Sequence, residues 1–157
     1  MQYTKEDLAY IAGLYDGEGC ITLVKQIEKR RSKEYIYYNP KASIGMTNRK
    51  AIDFVAERFK GNIWFIKKNG VWKPLYHFDI SNCKRVFVFL KEIYPYLQVK
   101  KEQARIVLEF IASRENLPNN VRWGESSYTT EHHKLYEEIR KLNKRGITPL
   151  TPILEVD

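Results

Sequence analysis

Cysteine is nearly absent from this chain. Cys20 and Cys83 are the only two in 157 residues, and neither stands in a Cys/His pattern with metal-ligand spacing. That excludes a disulfide framework and a structural zinc site, and leaves two buried, reduced thiols as the expectation. Long apolar runs are missing as well. None approaches the roughly 20 residues that span a bilayer, and the N-terminus lacks a basic-then-apolar leader. The expectation is a soluble intracellular protein with no membrane contact, in a prokaryotic cytoplasm or an organelle matrix. There is no Gly-rich phosphate loop and no Ser/His/Asp set. His132 and His133 are adjacent, so on a helix they point about 100° apart, and both read as surface residues. Acid is in deficit: 19 Asp and Glu face 27 Lys and Arg, a net charge of +8, which favours a polyanionic partner. Low complexity and internal repeats are also lacking, so residues 1–157 read as one domain.

What is present has a globule's composition, 43% hydrophobic and 13% aromatic. Thr4, with Asp7 three residues on, predicts a capped first helix. A strand over 20–27 follows, then a charged loop over 28–33. The chain returns over 34–38 and 41–46, interrupted or bulged near Pro40, which cannot donate to a ladder. Thr47 or Asn48 caps a helix over 49–59 with Ile52, Val55, Ala56 and Phe59 on one face. Residues 62–68 and 71–80 flank Asn69-Gly70, the strongest short hairpin signal. Helices are predicted from Ser81 to about 94, stopped by Pro95, then over 102–114, and from 130 or 131 to about 144. Residues 117–130 read as an irregular connection, and the tail from Gly146 as loosely ordered. This order predicts an α+β fold, a four-stranded antiparallel sheet with helices on one face.

Residues 8–20 are the most informative stretch. Residues 8–15 carry no charge, so both faces of that helix are expected to be buried. Ala9, Ala12 and Gly13 offer small surfaces at helical spacing, where the backbone of a second copy can approach; Tyr15 is assigned to the same interface. Asp16 and Glu18 fall at the C-terminal end, where the helix dipole disfavours anions. Carboxylates there need a compensating charge, and a divalent cation with oxygen ligands is the natural candidate.

The run Ile11-Ala12-Gly13-Leu14-Tyr15-Asp16-Gly17-Glu18-Gly19 resembles the LAGLIDADG motif of homing endonucleases, with glutamate in place of aspartate at its eighth position. The element order to about residue 115 is similar to the family's αββαββα unit, with residues 116–157 as a C-terminal helical extension. The resemblance implies a saddle-shaped sheet and a single-motif homodimer. It implies hydrolysis of double-stranded DNA at a long pseudo-palindromic target with short 3′ overhangs, in the service of intron homing. Mg²⁺ is the implied cofactor, with Mn²⁺ substituting and Ca²⁺ binding without turnover. Glu18 becomes the direct metal ligand, joined by the Gly17 carbonyl, with Asp16 in support. Residues 94–104 look like the segment holding the catalytic lysine, Lys100, which by itself would read as a solvated pre-helix lysine. Met46-Thr47-Asn48 resembles the turn with a water-positioning residue, Asn48, which also suits a helix N-cap. The next basic position of the family falls on Ile52, with Arg49 and Lys50 as nearby cations. The alternative is a non-cleaving RNA maturase or DNA-binding regulator on the same scaffold.

Strand alternation then supplies a candidate DNA face. In the first hairpin it comprises Thr22, Gln26 and Glu28, continuing through Arg30, Arg31 and Lys33 at the tip, with Lys41 and Ser43 on the return. In the second, Trp64, Ile66, Tyr76, Phe78 and Ile80 are assigned to the apolar side, and Lys67, Asn69, Lys73, His77 and Asp79 to the open side. A mixed polar ribbon suits the major groove, where Arg and Lys read guanine, Gln and Asn read adenine, and Asp and Glu accept from cytosine. A solvated sheet face looks much the same; the motif decides for DNA.

Overall fold

Thr4 closes the expected capping box: its hydroxyl accepts from the Asp7 amide and the Asp7 carboxylate accepts from the Thr4 amide, both at 3.2 Å. The computed structural model describes residues 3–67, 70, 72–115 and 128–144. The elements are α1 (Lys5–Glu18), β1 (Gly19–Arg30), β2 (Lys33–Met46), α2 (Arg49–Arg58), β3 (Asn62–Ile66), β4 (Leu75–Ile80), α3 (Cys83–Ile93), a 3₁₀ turn (Tyr94–Tyr96), α4 (Lys101–Glu115) and α5 (Thr130–Leu142). Asn48 and Asn82 cap α2 and α3, so α3 starts after Asn82 rather than at Ser81. The four strands form one antiparallel sheet in the order β1-β2-β4-β3.

Pro40 does not interrupt β2. It pairs with Leu23, and the β4 partners begin only at Ala42, so the β4 side of Pro40 has no ladder to donate to. The charged segment 28–33 is mostly strand, with Arg31-Ser32 as a two-residue turn at φ 45° and 66°. The second hairpin is looser than its Asn-Gly signal predicts. Ile66 and Leu75 are the last pair, and among the described residues Lys67 and 72–74 stand outside the strands. Gly70 takes a left-handed φ of 84°; Asn69 lies outside the described residues.

One sheet face is buried by helices. Ile21, Leu23, Tyr38, Ala42, Ile44, Phe78 and Ile80 meet Ile11 and Tyr15 of α1, Ile52 and Val55 of α2, Phe89 of α3 and Phe110 of α4 in a single core. Beyond Tyr38 the β1–β2 ribbon outruns the helices: the paired Ile27 and Ile36 are 55% and 42% exposed. Cys20 corrects the expectation of buried thiols. It lies opposite Ser43 on the uncovered face and is exposed, while Cys83 is half-buried.

The last helix belongs to this core through Leu135 and Ile139. The Asn143 side chain donates to the Ile21 carbonyl at 2.9 Å, so α5 covers part of the edge strand β1. His132 is not a surface residue. It is 2% exposed, between Ser113 Oγ at 3.0 Å and the Thr129 amide at 2.9 Å. His133 is exposed, and its Nδ1 meets the Tyr38 hydroxyl at 2.7 Å.

Candidate functional site

The end of α1 is tied to the start of α4 by a reciprocal clasp. The Asp16 carboxylate accepts from the amides of Gln98 and Lys100, each at 2.8 Å. The Lys100 ammonium donates back to the carbonyls of Tyr15 at 2.8 Å and Asp16 at 2.5 Å. The last turn of α1 holds no basic residue of its own. Lys100 therefore supplies the cation that the negative helix end needs. Two of the predicted site residues are thus brought together, with Lys100 held at the helix end where Glu18 emerges.

Glu18 is exposed and, among the described residues, has neither a hydrogen bond nor an ion pair. Asp16 is used up by the clasp; Glu18 is the free carboxylate. The described residues of one chain hold no cluster of three His, Cys, Asp or Glu side chains fit for an ion. One carboxylate beside a backbone carbonyl is nevertheless a donor set that suits Mg²⁺, which keeps waters and takes few protein ligands when substrate phosphates complete its shell.

The motif helix divides its small residues between two faces. Ala12 and Tyr15, expected at a dimer interface, are both fully buried inside the single chain. The Tyr15 ring packs on Phe89 at 4.8 Å, and burial pushes its phenol far above the ordinary range. Helical geometry turns these positions toward the sheet. Ala9 and Gly13, with Gly17 four residues further, lie on the exposed side. A side chain added at Gly13 or Gly17 would meet nothing within 4 Å.

Asn48 serves as the α2 N-cap, accepting from Ala51 N at 3.4 Å. It lines a groove with Glu6, Asp7 and Tyr10. Those residues belong to the first half of α1, Tyr10 standing about 12 Å along the axis from Glu18 by helical rise. Ile52, at the family's next basic position, is fully buried. Arg49 is paired to Asp53 at 3.3 Å, and Lys50 lines the Asn48 groove.

The uncovered sheet face gathers most of the expected readers. Register puts Thr22, Gln26 and Glu28 across from Lys41, Tyr37 and Tyr35, with Ser43 opposite Asp79 and Gly45 opposite His77. Tyr35, Tyr37 and Asn39 join that face, and Asn39 donates to Gln26 at 2.9 Å. Arg31 and Lys33 are exposed at the ribbon tip, where the Arg30 backbone ends β1; Lys73 is exposed before β4.

The β3 phase differs from the prediction. Trp64 pairs with His77 and stacks on it at 4.0 Å, and its indole donates to Asp79 at 2.9 Å. Trp64 and Ile66 therefore lie on the open face, not the apolar side. Lys67 falls in the opposite phase and lines a groove with Arg49, Phe65 and Tyr76 on the helix side. Four consecutive apolar residues, Ile63 to Ile66, carry no alternation from which to read a phase. The hairpin did carry the signal, because a two-residue Asn69-Gly70 turn would pair 64 with 75 and put Trp64 in the phase of His77.

No protein-family model matches the chain. A curated relative is the DNA endonuclease I-CreI of Chlamydomonas reinhardtii, 26% identical over 119 residues, or 75% of this chain and 68% of the relative. Similar solved structures include homing endonuclease I-CvuI with the I-CreI target, at TM-score 0.63, 21% identity, and 92% and 89% coverage of the two chains. The archaeal intron-encoded I-Vdi141I with DNA gives TM-score 0.65, 22% identity, and 92% and 88% coverage. Homing endonuclease I-TnaI gives TM-score 0.60, 17% identity, and 93% and 92% coverage. The two-hairpin α+β fold is the one these homing endonucleases share. These similarities, in sequence to I-CreI and in fold to the other endonucleases, support the resemblance to LAGLIDADG homing endonucleases that the motif carries.

Proposed function

We propose that this chain is a site-specific endonuclease for double-stranded DNA, acting with Mg²⁺ as a homodimer on a pseudo-palindromic target. The observation that carries the reading is the end of α1, where Glu18 is free and Lys100 is held on the Tyr15 and Asp16 carbonyls of the same helix turn. The uncovered line Ala9, Gly13, Gly17 supports the dimer. Gly inside a helix costs about 1 kcal/mol relative to Ala, and nothing in the single chain needs the missing side chains. A second motif helix packed there would bring two Glu18 carboxylates together, one for each DNA strand. I-CvuI and I-Vdi141I were both solved with DNA, the first in 2 mM Mg²⁺ with its DNA uncleaved, which supports DNA as the partner and leaves the metal dependence of cleavage to the test below.

Glu18 and the Gly17 carbonyl would hold the ion. Bound Mg²⁺ supplies charge relief on the scissile phosphate and a more acidic water. The reaction is hydrolysis: water oxygen bonds to phosphorus, the P–O3′ bond breaks, and a proton passes to the departing 3′-oxygen. Products are a 5′-phosphate and a 3′-hydroxyl, offset between strands as a short 3′ overhang. Lys100 places positive charge beside the phosphate, and the polar sheet face selects the sequence. Asp16 acts through Lys100 rather than on the phosphate.

Purified protein is incubated with plasmids carrying the sequence into which its gene's intron is inserted, in Mg²⁺ or in Ca²⁺. Cleavage is expected only in Mg²⁺, with Glu18→Gln binding but not cutting. Specific binding with no metal-dependent cut under any condition would sink the nuclease. Retention as a strict monomer on DNA in sedimentation would remove the dimer.

A further inference from the structure

The β3–β4 half of the open face holds a packed aromatic group with no part in the cleavage chemistry proposed above. Trp64 is 41% exposed, and one face of its ring is covered by His77, the two planes 5° apart at 4.0 Å. His77 in turn lies over Gly45. A Cβ at that glycine would stand 2.7 Å from the imidazole Cε1, so the position must stay bare for the ring to lie there. The indole N–H is spent on Asp79 Oδ2 at 2.9 Å, and the same oxygen holds Lys41 Nζ at 3.1 Å. Asp79 is 15% exposed and engaged twice, so it is an anchor rather than a reader of cytosine.

Trp64 therefore presents no unspent hydrogen-bonding group. What it offers is a rigid apolar plate, extended by Ile66, 43% exposed in the same phase. β3 and β4 themselves contain no Lys or Arg, so this strip adds no charge for gripping phosphates. In the major groove the one apolar feature a base edge offers is the thymine 5-methyl group. We infer that Trp64, with Ile66, is a specificity-determining contact that selects thymine in each half-site through its methyl group. Asp79 and His77 are positioning residues that fix the plate, and Asp79 leaves Lys41 beside it for a neighbouring base. This rests on the proposal that the open sheet face enters DNA.

A pool of randomised duplex DNA is enriched on the wild-type protein in Ca²⁺, and the resulting consensus is remade with each thymine singly replaced by deoxyuridine. That change removes one methyl and no hydrogen bond. One symmetry-related pair of positions is expected to lose affinity roughly threefold to fivefold for each thymine replaced. Trp64→Ala brings that ratio to one. Trp64→Phe, which keeps a plate but has no N–H, retains most of the preference, separating apolar reading from a donor role. A consensus lacking a thymine pair, equal binding of thymine and deoxyuridine throughout, or a preference that persists in a folded Trp64→Ala protein each overturns the inference. The wild-type comparison needs no variant to fold. Failure of the pool to enrich at all overturns the DNA reading together with it, whereas enrichment without a methyl effect overturns this inference alone.

Discussion

Lys100 reaches the motif helix through both its backbone and its side chain, and Asp16 answers through both of its own. The clasp joins residues 84 apart in sequence. Sequence spacing marks Asp16, Glu18 and Lys100 as unusual, yet nothing in it says that one acid is consumed and the other left free, because that depends on where the segment before α4 docks. Hydrogen bonds to charged groups contribute about 1.5–3 kcal/mol each, and Asp16 accepts two, one of them partly exposed. Asp16→Ala is expected to lower stability by about 2–4 kcal/mol in urea unfolding. Cleavage should fall further than stability explains, because Lys100 loses its fixed place. Asp16→Asn, with one acceptor oxygen left, should lie between alanine and wild type in both measurements.

Helix caps were legible at the level of elements, while turn length, strand phase and helix seating were not. Thr4-Asp7 and Asn48 announce α1 and α2 by local hydrogen bonding, which needs no tertiary partner. The β3 phase escaped because its apolar residues do not alternate, and His132 because its burial depends on α5 meeting α4. The buried network assigns His132 an acceptor Nδ1 facing the Thr129 amide and a donor Nε2–H facing Ser113, whose hydroxyl donates on to the Phe110 carbonyl at 2.8 Å. Burial lowers its pKa from the ordinary 6.5, with the Arg114 cation acting in the same direction and Glu131 against it. The fold thus holds the neutral form. As pH falls below 6.5 the unfolded chain takes up the proton first, so stability present above that value is lost progressively on acidification. Urea midpoints should drop between pH 7.5 and 5.5, and His132→Gln should flatten the drop while lowering the value at pH 7.5. An unchanged pH dependence in the variant would exclude His132 as its source. Elsewhere on the helices, Gly13→Leu fills open space in one chain and would block the second motif helix of the proposed dimer. It should leave a folded monomer in sedimentation, with cleavage lost.

The whole molecule separates its surfaces: a buried sheet face for the core, a bare helix line to which the proposal assigns a second copy, and a polar sheet face ending in a basic ribbon tip. The excess of eight positive charges was legible from composition, but composition says nothing of where they sit. Lys41 is partly neutralised by Asp79 at 3.1 Å, and Arg105 by Glu102 at 2.8 Å and Glu109 at 2.7 Å. Lys33 and Arg31 are exposed at the tip, without a carboxylate partner among the described residues. Charges of that kind bind phosphates by displacing condensed counterions, and each contact contributes close to one unit to the slope of log affinity against log salt. Replacing Arg31 and Lys33 by alanine in both copies of a dimer is expected to reduce that slope by up to about four. Affinity should fall similarly for target and random duplex, since phosphate contacts carry no sequence information. A slope that does not change would remove the ribbon tip from the DNA interface. A loss confined to the target would instead make Arg31 or Lys33 a reader of bases.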